Sequence, residues 1–304
     1  MKEKIIEIKG LEKIYKENRV LKKIDLEIES GDFFALLGHN GAGKTTTINI
    51  LTNLVKKTSG EIKIGGIDID KDFSSARKLI GVVPQEFNFD VFAKVKDIPV
   101  IQAGYYGISK NIAVERTEKL LKKLGLWEKR ESKAKELSGG MKRRLMIVRA
   151  LIHEPKILIL DEPTAGVDVD LRKSMWEFIS ELNKNGTTIL LTTHYLEEVE
   201  ALCKKVAILD SGEIIENTSV KSLLGKLKEE TIILSMSENY NLSEDIIKKY
   251  NIKILEENEI ELIIDEKITL NDLFKDLNDK NINIKSFRNK TNRLEALFMK
   301  IIKK

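Results

Sequence analysis

The chain has 304 residues, of which 42% are hydrophobic and 33% charged, and its formal net charge is +4. This small excess does not indicate a nucleic-acid-binding protein, which concentrates basic residues on one face. A single cysteine excludes an intrachain disulfide and a thiolate metal cluster. The length predicts one or two domains, and the longest apolar runs, such as ILIL, are too short to cross a bilayer.

The predicted elements begin with short strands over IIEIKGLEKIY and LKKIDLEIES, followed by the buried strand FFALL. Next come a helix over KTTTINILTNLV, a hairpin that turns at Gly65 and Gly66, and a strand that stops at Pro84. Residues 86–137 are polar and helical in period, which predicts a helical insert. Further on, the buried strands KILIL and TTILLTT alternate with helices. This alternation predicts an α/β fold with a parallel sheet covered on both faces.

The pattern changes near residues 222–230. Beyond this point we predict a strand, a helix, two strands, a helix and a strand, followed by a last helix. This βαββαβ order is typical of a small ferredoxin-like α+β domain. The sequence therefore predicts two domains: residues 1–222, with the helical insert at about 86–137, and residues 230–304.

A glycine-rich loop follows the strand FFALL. Its sequence GHNGAGKT, from Gly38 to Thr45, fits the G-x-x-x-x-G-K-[ST] pattern of a P-loop. Such a loop turns its N–H groups toward phosphates, and the positive end of the next helix adds to them. We predict a nucleotide site with Lys44 on the β- and γ-phosphates and the Thr45 hydroxyl on Mg²⁺. The predicted nucleotide contacts of this loop are Gly38, His39, Asn40, Gly41, Ala42, Gly43, Lys44, Thr45 and Thr46.

Two carboxylates end the apolar strand KILIL. We predict that Asp161 holds Mg²⁺ and that Glu162 orients and partly deprotonates an attacking water. On its own this pattern favours two solvated acids, but the P-loop and the predicted parallel sheet favour catalysis. His194 follows the strand TTILLTT at the edge of the predicted crevice. The spacing leaves a catalytic role and a core or loop role for His194 equally open.

The P-loop and six further motifs resemble, in their order, those of the ATP-binding cassette (ABC) ATPases over roughly residues 3–220. The further motifs are Tyr15, Gln85 after GVVP, LSGGM at 137–141, the pair Asp161 and Glu162, AGVD ending at Asp168, and His194. The resemblance implies that Tyr15 stacks on adenine, although simple packing stays an alternative. It also implies that Gln85 senses Mg²⁺ and the partner subunit, that Asp168 belongs to the D-loop, and that His194 contacts the γ-phosphate.

The same resemblance implies a RecA-like P-loop NTPase core with an antiparallel β subdomain and a helical subdomain. It also implies a dimer that holds two ATP molecules head to tail. A dimer explains a second anion-binding stretch, ELSGGMKRRL: Ser138, Gly139 and Gly140 would close on the ATP of the other subunit. Met141 stands where the family usually has Gln. Without the other motifs, Ser138 would be an ordinary helix N-cap.

The tail NRLEALFMKIIKK, the GYYG at 104–107 and the Met of LSGGM resemble the ATPase subunits of ABC-2-type exporters. This resemblance implies an ATPase that energises a separate ABC-2-type permease, as a homodimer or as a heterodimer with another ABC ATPase. No nucleic-acid partner is expected. The chain is expected in the cytoplasm, on the inner face of the cell membrane through its permease. The side chains of Phe87, Phe89, Phe92 and Tyr105 are candidates to line the permease groove, with packing of the insert as the alternative.

Two other functions are weighed against transport. A non-transport ABC ATPase, for example of the iron–sulfur assembly type, fits the length, but the C-terminal domain argues against it. A regulatory ATP-binding module with little turnover is the second alternative. The intact Lys44, Asp161, Glu162 and His194 argue against this module.

Overall fold

The structure is a computed structural model that describes residues 3–164, 167–227, 229–237, 242–255, 258–265 and 268–302. The chain divides into two compact units, Met1–Ser219 and Val220–Lys304. In the part of the chain that the structure describes, no helix is both long and apolar enough to cross a membrane.

The first unit contains ten strands and seven α-helices among its described residues, with two short 3₁₀ turns at Trp127–Lys129 and Ala134–Glu136. In chain order they are β1 (Lys4–Tyr15), β2 (Asn18–Glu29), β3 (Phe33–Leu37), α1 (Lys44–Leu51), β4 (Ser59–Ile64), β5 (Ile67–Asp68), α2 (Phe73–Arg77), β6 (Ile80–Val83), α3 (Asp97–Tyr105), α4 (Lys110–Lys123), α5 (Gly139–Leu151), β7 (Ile157–Asp161), α6 (Val169–Lys184), β8 (Thr188–Thr192), α7 (Leu196–Leu202), β9 (Lys205–Asp210) and β10 (Glu213–Ser219).

These strands form two sheets. The first is antiparallel, in the order β2-β1-β4-β5, and the second has six strands in the order β10-β9-β3-β8-β7-β6. In the second sheet β9, β3, β8, β7 and β6 are parallel and only β10 is antiparallel. Every residue of β3, β7 and β8 is buried, as is typical of strands in a parallel sheet with both faces covered. The predicted α/β P-loop fold is therefore confirmed.

Local sequence accounts for the hairpin and for the helical segment of this unit. The two-residue turn between β4 and β5 has positive φ at both Gly65 (57°) and Gly66 (77°), which a type I′ turn requires. In α4 the buried residues Ala113, Thr117 and Leu121 recur every four positions. That spacing puts them on one face of the helix, and the polar residues between them face outward.

The second unit has an α-helix, then the order β-α-β-β-α-β, then a last helix. Its elements are α8 (Val220–Leu224), β11 (Glu230–Met236), α9 (Glu244–Tyr250), β12 (Lys253–Ile254), β13 (Glu259–Ile264), α10 (Leu270–Asp279), β14 (Ile284–Asn289) and α11 (Arg293–Ile302). The four strands form an antiparallel sheet in the order β12-β13-β11-β14. Leu234 and Ile260 of the sheet share a core with Ile246, Leu273 and Leu277 of α9 and α10.

Candidate functional site

Four neighbouring parallel strands deliver the predicted site residues to one edge of the six-stranded sheet. The P-loop follows β3, His194 follows β8, Asp161 and Glu162 lie at the end of β7, and Gln85 follows β6. Parallel strands end at the same edge, which is where α/β proteins bind ligands. A cleft of about 690 Å³ opens there. It is lined by Asn18, Val20, Asn40, Gly41, Gly43, Lys44, Thr45, Thr46, Gln85, Glu162 and His194.

The P-loop carries a buried ammonium group. Gly43, the N-cap of α1, has φ 112°, a conformation that favours glycine. Lys44 is 6% exposed, and its Nζ donates to the carbonyls of Gly38 at 2.7 Å and His39 at 3.1 Å. Burial lowers the pKa of Lys44, whereas the charges of Glu162 and Asp161 oppose this shift. The loop therefore presents a desolvated cation and a helix N-terminus to the cleft, which suits an anionic ligand.

Three P-loop residues are not among those that line the cleft. Gly38 and Ala42 are buried in the loop. His39 is exposed, but its ring is bonded on both sides: Nδ1 to the carbonyl of Asn40 at 2.7 Å and Nε2 to Asp210 Oδ1 at 2.6 Å. His39 thus connects the loop to the end of β9, and its predicted nucleotide contact stays a prediction.

The two acids at the end of β7 have different surroundings. Asp161 is 5% exposed, and the Thr192 hydroxyl of the neighbouring strand donates to its Oδ1 at 2.5 Å. Burial raises the pKa of Asp161, whereas the Thr192 bond and the charges of Lys44 and Arg143 oppose this shift. Glu162 has φ 47°, a strained conformation for a residue with a side chain. Its N–H donates to the carbonyl of Thr192 at 3.0 Å, which holds this turn.

Glu162 is the point where the side chains of the site meet. Gln85 Nε2 donates to Glu162 Oε2 at 3.1 Å, and His194 Nδ1 lies 3.3 Å from the same oxygen. The His194 ring is half exposed and lies 4.1 Å from the ring of Tyr195, centre to centre. A carboxylate oriented by two side chains at the mouth of a phosphate loop can accept a proton from water or orient that water.

Oxygen donors at this edge fit a hard divalent cation. The hydroxyl of Thr45 and the amide of Gln85 belong to cleft-lining residues, and Asp161, at the end of β7, immediately precedes the cleft-lining Glu162. Within the described ranges no group of three or more His, Cys, Asp or Glu could hold a metal. A cation bound here would need phosphate oxygens and water to complete its ligands, which is how Mg²⁺ usually binds in proteins.

The stretch from Ser138 to Gly140 does not line the cleft of its own chain. Ser138 and Gly139 are exposed at the start of α5, where Ser138 Oγ accepts a hydrogen bond from the N–H of Met141 at 3.3 Å. A Cβ on Gly140 would lie 1.9 Å from Leu171 Cδ2, so a larger residue there would require the Leu171 side chain to move. The start of α5 is therefore a helix N-terminus at the surface, outside the lining of the chain's own cleft.

Asp168 and Tyr15 also lie outside the cleft lining. Asp168 is the exposed N-cap of α6 and accepts a hydrogen bond from the N–H of Leu171 at 2.9 Å. Since Leu171 faces Gly140, the Asp168 segment and the start of α5 are neighbours. Tyr15 ends β1 with 43% of its surface exposed, and Lys13 Nζ lies 4.4 Å from its ring centre. The predicted adenine contact of Tyr15 stays a prediction.

A separate apolar groove of about 210 Å³ lies beside the Gln85 segment. It is lined by Thr52, Leu54, Phe73, Arg77, Ile80, Val82, Pro84, Asn88, Gln102, Tyr106, Arg149, Ala150 and His153. Phe87, Phe89, Phe92 and Tyr105 are not among these residues, and their predicted contact with a permease stays a prediction. Phe87 and Phe89 contact one another instead, with ring centres 6.2 Å apart.

A stacked pair forms part of this groove. The rings of Tyr106 and His153 lie 3.8 Å apart, and His153 Nε2 is bonded to the carbonyl of Ile80 at 2.9 Å. Burial lowers the pKa of His153 to about 4. His153 is therefore neutral near pH 7, and the charges of the groove come from Arg77 and Arg149.

Sequence reasoning missed several residues of the site. Asn18 and Val20 line the cleft, and Thr192 bonds to the carboxylate of Asp161 and to the backbone N–H of Glu162. The signal for Thr192 was present, since TTILLTTH places threonines after an apolar strand that ends beside the acids. Arg143, in the basic run KRRL, is the other residue that was missed; its guanidinium is buried against the Gln85 segment.

The fold and the site together define a class. A P-loop after one strand of a parallel sheet, with acids at the end of a nearby strand, is the arrangement of P-loop nucleotide hydrolases. Residues 21–165 match the family model described as ABC transporter. The linearmycin resistance ATP-binding protein LnrL of Bacillus subtilis is 38% identical over 229 residues, which cover 75% of this chain and 74% of that protein.

Two further comparisons agree. The Nod factor export ATP-binding protein I of Cupriavidus metallidurans is 41% identical over 211 residues, which cover 69% of this chain and 70% of that protein. A solved dimeric ATP-binding cassette in a post-hydrolysis state, bound to ADP and Pi, superposes with a TM-score of 0.65 at 28% identity, covering 71% of this chain and 98% of that one. The chain belongs to the ABC transporter family and is an ATP-binding, ATP-hydrolysing subunit of the kind found in that family.

Proposed function

We propose that this ATPase is the energy-supplying subunit of an exporter and drives a separate ABC-2-type membrane permease. The observation that carries hydrolysis is the placement of Glu162 at the mouth of the P-loop cleft, bonded by Gln85 and next to His194. Export is supported by two relatives, one named for linearmycin resistance and the other for Nod factor export. The permease would keep the chain at the cytoplasmic face of the cell membrane.

In the proposed mechanism the chain's own residues bind and orient the reactants. The amides of the loop and the ammonium of Lys44 neutralise the phosphates. Thr45, Asp161 and Gln85 would hold Mg²⁺, which supplies positive charge to the phosphate oxygens when bound. Glu162 orients the attacking water and accepts its proton, and His194 contacts the γ-phosphate from the end of β8.

The proposed active unit is a dimer, either of two copies or with another ABC ATPase. Support comes from the exposed helix N-terminus at Ser138, Gly139 and Gly140, which does not line its own cleft. In a head-to-tail dimer this N-terminus would close on the γ-phosphate in the partner's P-loop. Asp168, next to it, would belong to the same interface. The similar solved cassette is itself described as a dimer.

We propose that residues 1–222 form the nucleotide-binding domain, with an insert at about 86–137, and that residues 230–304 form an accessory α+β domain of the ferredoxin-like type. The division between Ser219 and Val220 supports two domains. The antiparallel order β12-β13-β11-β14 supports the ferredoxin-like type.

Replacing Lys44 with alanine tests the phosphate site. We expect Lys44→Ala to weaken ATP binding by about 10- to 100-fold, because charge-assisted hydrogen bonds to the phosphates contribute roughly 1.5–3 kcal/mol. Isothermal titration calorimetry with ATP measures the affinity. Lys56→Ala is the matched control, since Lys56 is exposed and is not among the cleft-lining residues. Equal affinities for Lys44→Ala and Lys56→Ala would overturn the P-loop assignment.

We propose that the permease docks in the apolar groove lined by Leu54, Phe73 and Tyr106. The groove adjoins the site directly, because Pro84 and Asn88 in its lining flank Gln85. An apolar lining with Arg77 and Arg149 suits a short amphipathic helix that carries carboxylates or a C-terminal dipole toward the arginines. Docking there would couple the permease to the Gln85 segment.

A charged residue introduced at the edge of the groove tests whether the permease docks there. Leu54 is 75% exposed, so we expect Leu54→Asp to fold normally and to lose the permease, because docking would bury the new carboxylate. The readout is the polytopic membrane protein that co-purifies with the tagged chain from detergent-solubilised membranes, identified by mass spectrometry. Ile112→Asp places the same charge on an exposed apolar residue outside the groove and should retain the partner. Equal recovery with both variants would place docking elsewhere.

The same preparations separate the two alternative functions. If the chain were a regulatory module, basal ATP hydrolysis would not exceed that of a Glu162→Gln blank. If it were a subunit of the iron–sulfur assembly type, its partners would be proteins without membrane-spanning segments. Hydrolysis above the blank together with a polytopic partner supports the exporter subunit.

A further inference from the structure

One basic residue of the ELSGGMKRRL stretch lies in the interior of the first unit. Arg143 is the fifth residue of α5 and only 4% exposed. Burying a guanidinium is unfavourable unless its charge and its donors are matched. Among the described residues no carboxylate lies within ion-pairing distance of Arg143, and its Nε has no hydrogen-bond partner. The burial of this charge therefore needs another explanation.

The terminal nitrogens of Arg143 hold the Gln85 segment by its backbone. Nη1 donates to the carbonyl of Pro84 at 2.8 Å, and Nη2 donates to the carbonyl of Gln85 at 2.9 Å. The guanidinium also lies over the ring of Phe87, 5.1 Å from its centre. Donors on two separate nitrogens and a ring contact use the planar shape of arginine, which the single ammonium of lysine cannot reproduce. Two backbone hydrogen bonds and one ring contact thus hold the segment from Pro84 to Phe87.

The side chain of Gln85 points from this fixed backbone to Glu162, with Nε2 3.1 Å from Oε2. The positive charge of Arg143 also interacts with the two carboxylates at the end of β7. Burial lowers the pKa of Arg143, and the carboxylates of Asp161 and Glu162 oppose this shift. The terminal nitrogens of Arg143 are therefore bonded to backbone carbonyls, and its positive charge also interacts at longer range with the two acids of the site.

The position of Arg143 along α5 adds a connection. Ser138 caps this helix and Gly139 begins it, so Arg143 lies about 6–8 Å further along a rigid helical turn. The exposed start of the helix is the part proposed to contact the partner's nucleotide. A displacement of that start would move the guanidinium, and with it the carbonyls of Pro84 and Gln85.

We propose that Arg143 is a positioning residue for hydrolysis: it holds the Gln85 backbone so that the Gln85 amide stays on Glu162, and it makes this alignment depend on the position of α5. The inference rests on the proposed role of Glu162. It adds a connection inside one chain between the surface that meets the partner and the base that activates water. Arg143 itself is not among the residues that line the cleft.

The test is a double-mutant cycle in ATP hydrolysis by the full chain. We expect Arg143→Met to lower kcat by about 10-fold or more with little change in KM for ATP, because misplacing a catalytic group slows chemistry without weakening phosphate binding. Gln85→Ala should lower kcat by a similar factor. The double variant should be no slower than the slower single variant, because both changes remove the same alignment. Thermal unfolding of each variant confirms that it is folded.

Two further variants make the result specific. Arg143→Lys keeps the charge but not the paired donors, so its kcat should lie between those of the wild type and Arg143→Met. Arg130→Met is the matched control: Arg130 also donates to a carbonyl, that of Trp127 at 3.1 Å, and lies over the Trp127 ring, away from the Gln85 segment. Its kcat should stay within about twofold of the wild type.

Each outcome of these hydrolysis assays either supports the proposed role of Arg143 or contradicts a named part of the proposal. Wild-type kcat in Arg143→Met, or losses that multiply fully in the double variant, would overturn the inference. If Arg143→Met does not fold, Arg143→Lys decides in its place: a lowered kcat at unchanged KM supports the inference, and an unchanged kcat contradicts it. Undiminished hydrolysis by Glu162→Gln would instead refute the proposed role of Glu162, whatever the Arg143 variants do.

Discussion

Glu162→Gln is expected to lower kcat for ATP hydrolysis by about 10²- to 10⁴-fold while ATP remains bound, because an amide cannot accept the proton of the attacking water. Glutamine has nearly the same shape as glutamate, and its carbonyl oxygen can still accept the bond from Gln85. The cleft therefore keeps its geometry and loses its base. The change also removes a negative charge beside the phosphates, which favours the ATP-bound state.

Glu162→Gln should change the assembly of the protein as strongly as it changes the rate of ATP hydrolysis. If ATP holds two subunits together and hydrolysis releases them, Glu162→Gln should accumulate as an ATP-bound dimer. Size-exclusion chromatography with ATP measures this directly. Glu197→Gln, an exposed glutamate on α7, is the matched control and should elute and hydrolyse like the wild type. A variant that binds ATP and still elutes only as a monomer would contradict the dimer model or the role of Glu162.

Ser138→Arg is expected to lower the rate of ATP hydrolysis by about 10²- to 10³-fold and to leave the affinity for ATP unchanged. Ser138 is exposed and does not line its own cleft, so the affinity of that cleft should not change. In a dimer a long side chain at this position would fill the space that the partner's γ-phosphate needs. Loss of the cap bond to the Met141 N–H costs only about 1 kcal/mol, too little to unfold the unit.

The two variants can be combined to locate the effect of Ser138. Adding Ser138→Arg to Glu162→Gln should remove the ATP-dependent dimer while ATP binding to the monomer persists. Thr269→Arg in the same background is the control, since Thr269 makes an equivalent N-cap bond to Asp272 in the second unit. A dimer that persists with Ser138→Arg would mean that this stretch does not meet the partner.

Parts of the site were predictable because each depends on a few consecutive residues. The P-loop needs only glycines and a lysine after a buried strand, and Asp161 and Glu162 need only to end a later apolar strand. The hairpin at Gly65 and Gly66 was predictable for the same reason. The apolar groove beside the Gln85 segment was not, since its lining combines residues between 52 and 88 with others between 102 and 153, which no single stretch of sequence brings together. Phe87 and Phe89, which precede α3, contact one another, and Leu54 and Tyr106, which are far apart in the chain, line the groove.

The sequence by itself determined the class of this protein, its phosphate loop and the acids of its site, because those features are local. Only the tertiary structure decided which side chains meet across the sheet. Gln85 bonds to Glu162 across 77 positions of the chain, and Arg143 bonds to the Gln85 backbone across 58. These contacts depend on the strand order β3-β8-β7-β6, which differs from the order along the chain. Hydrophobic periodicity predicts that a strand is buried but not which strand lies beside it.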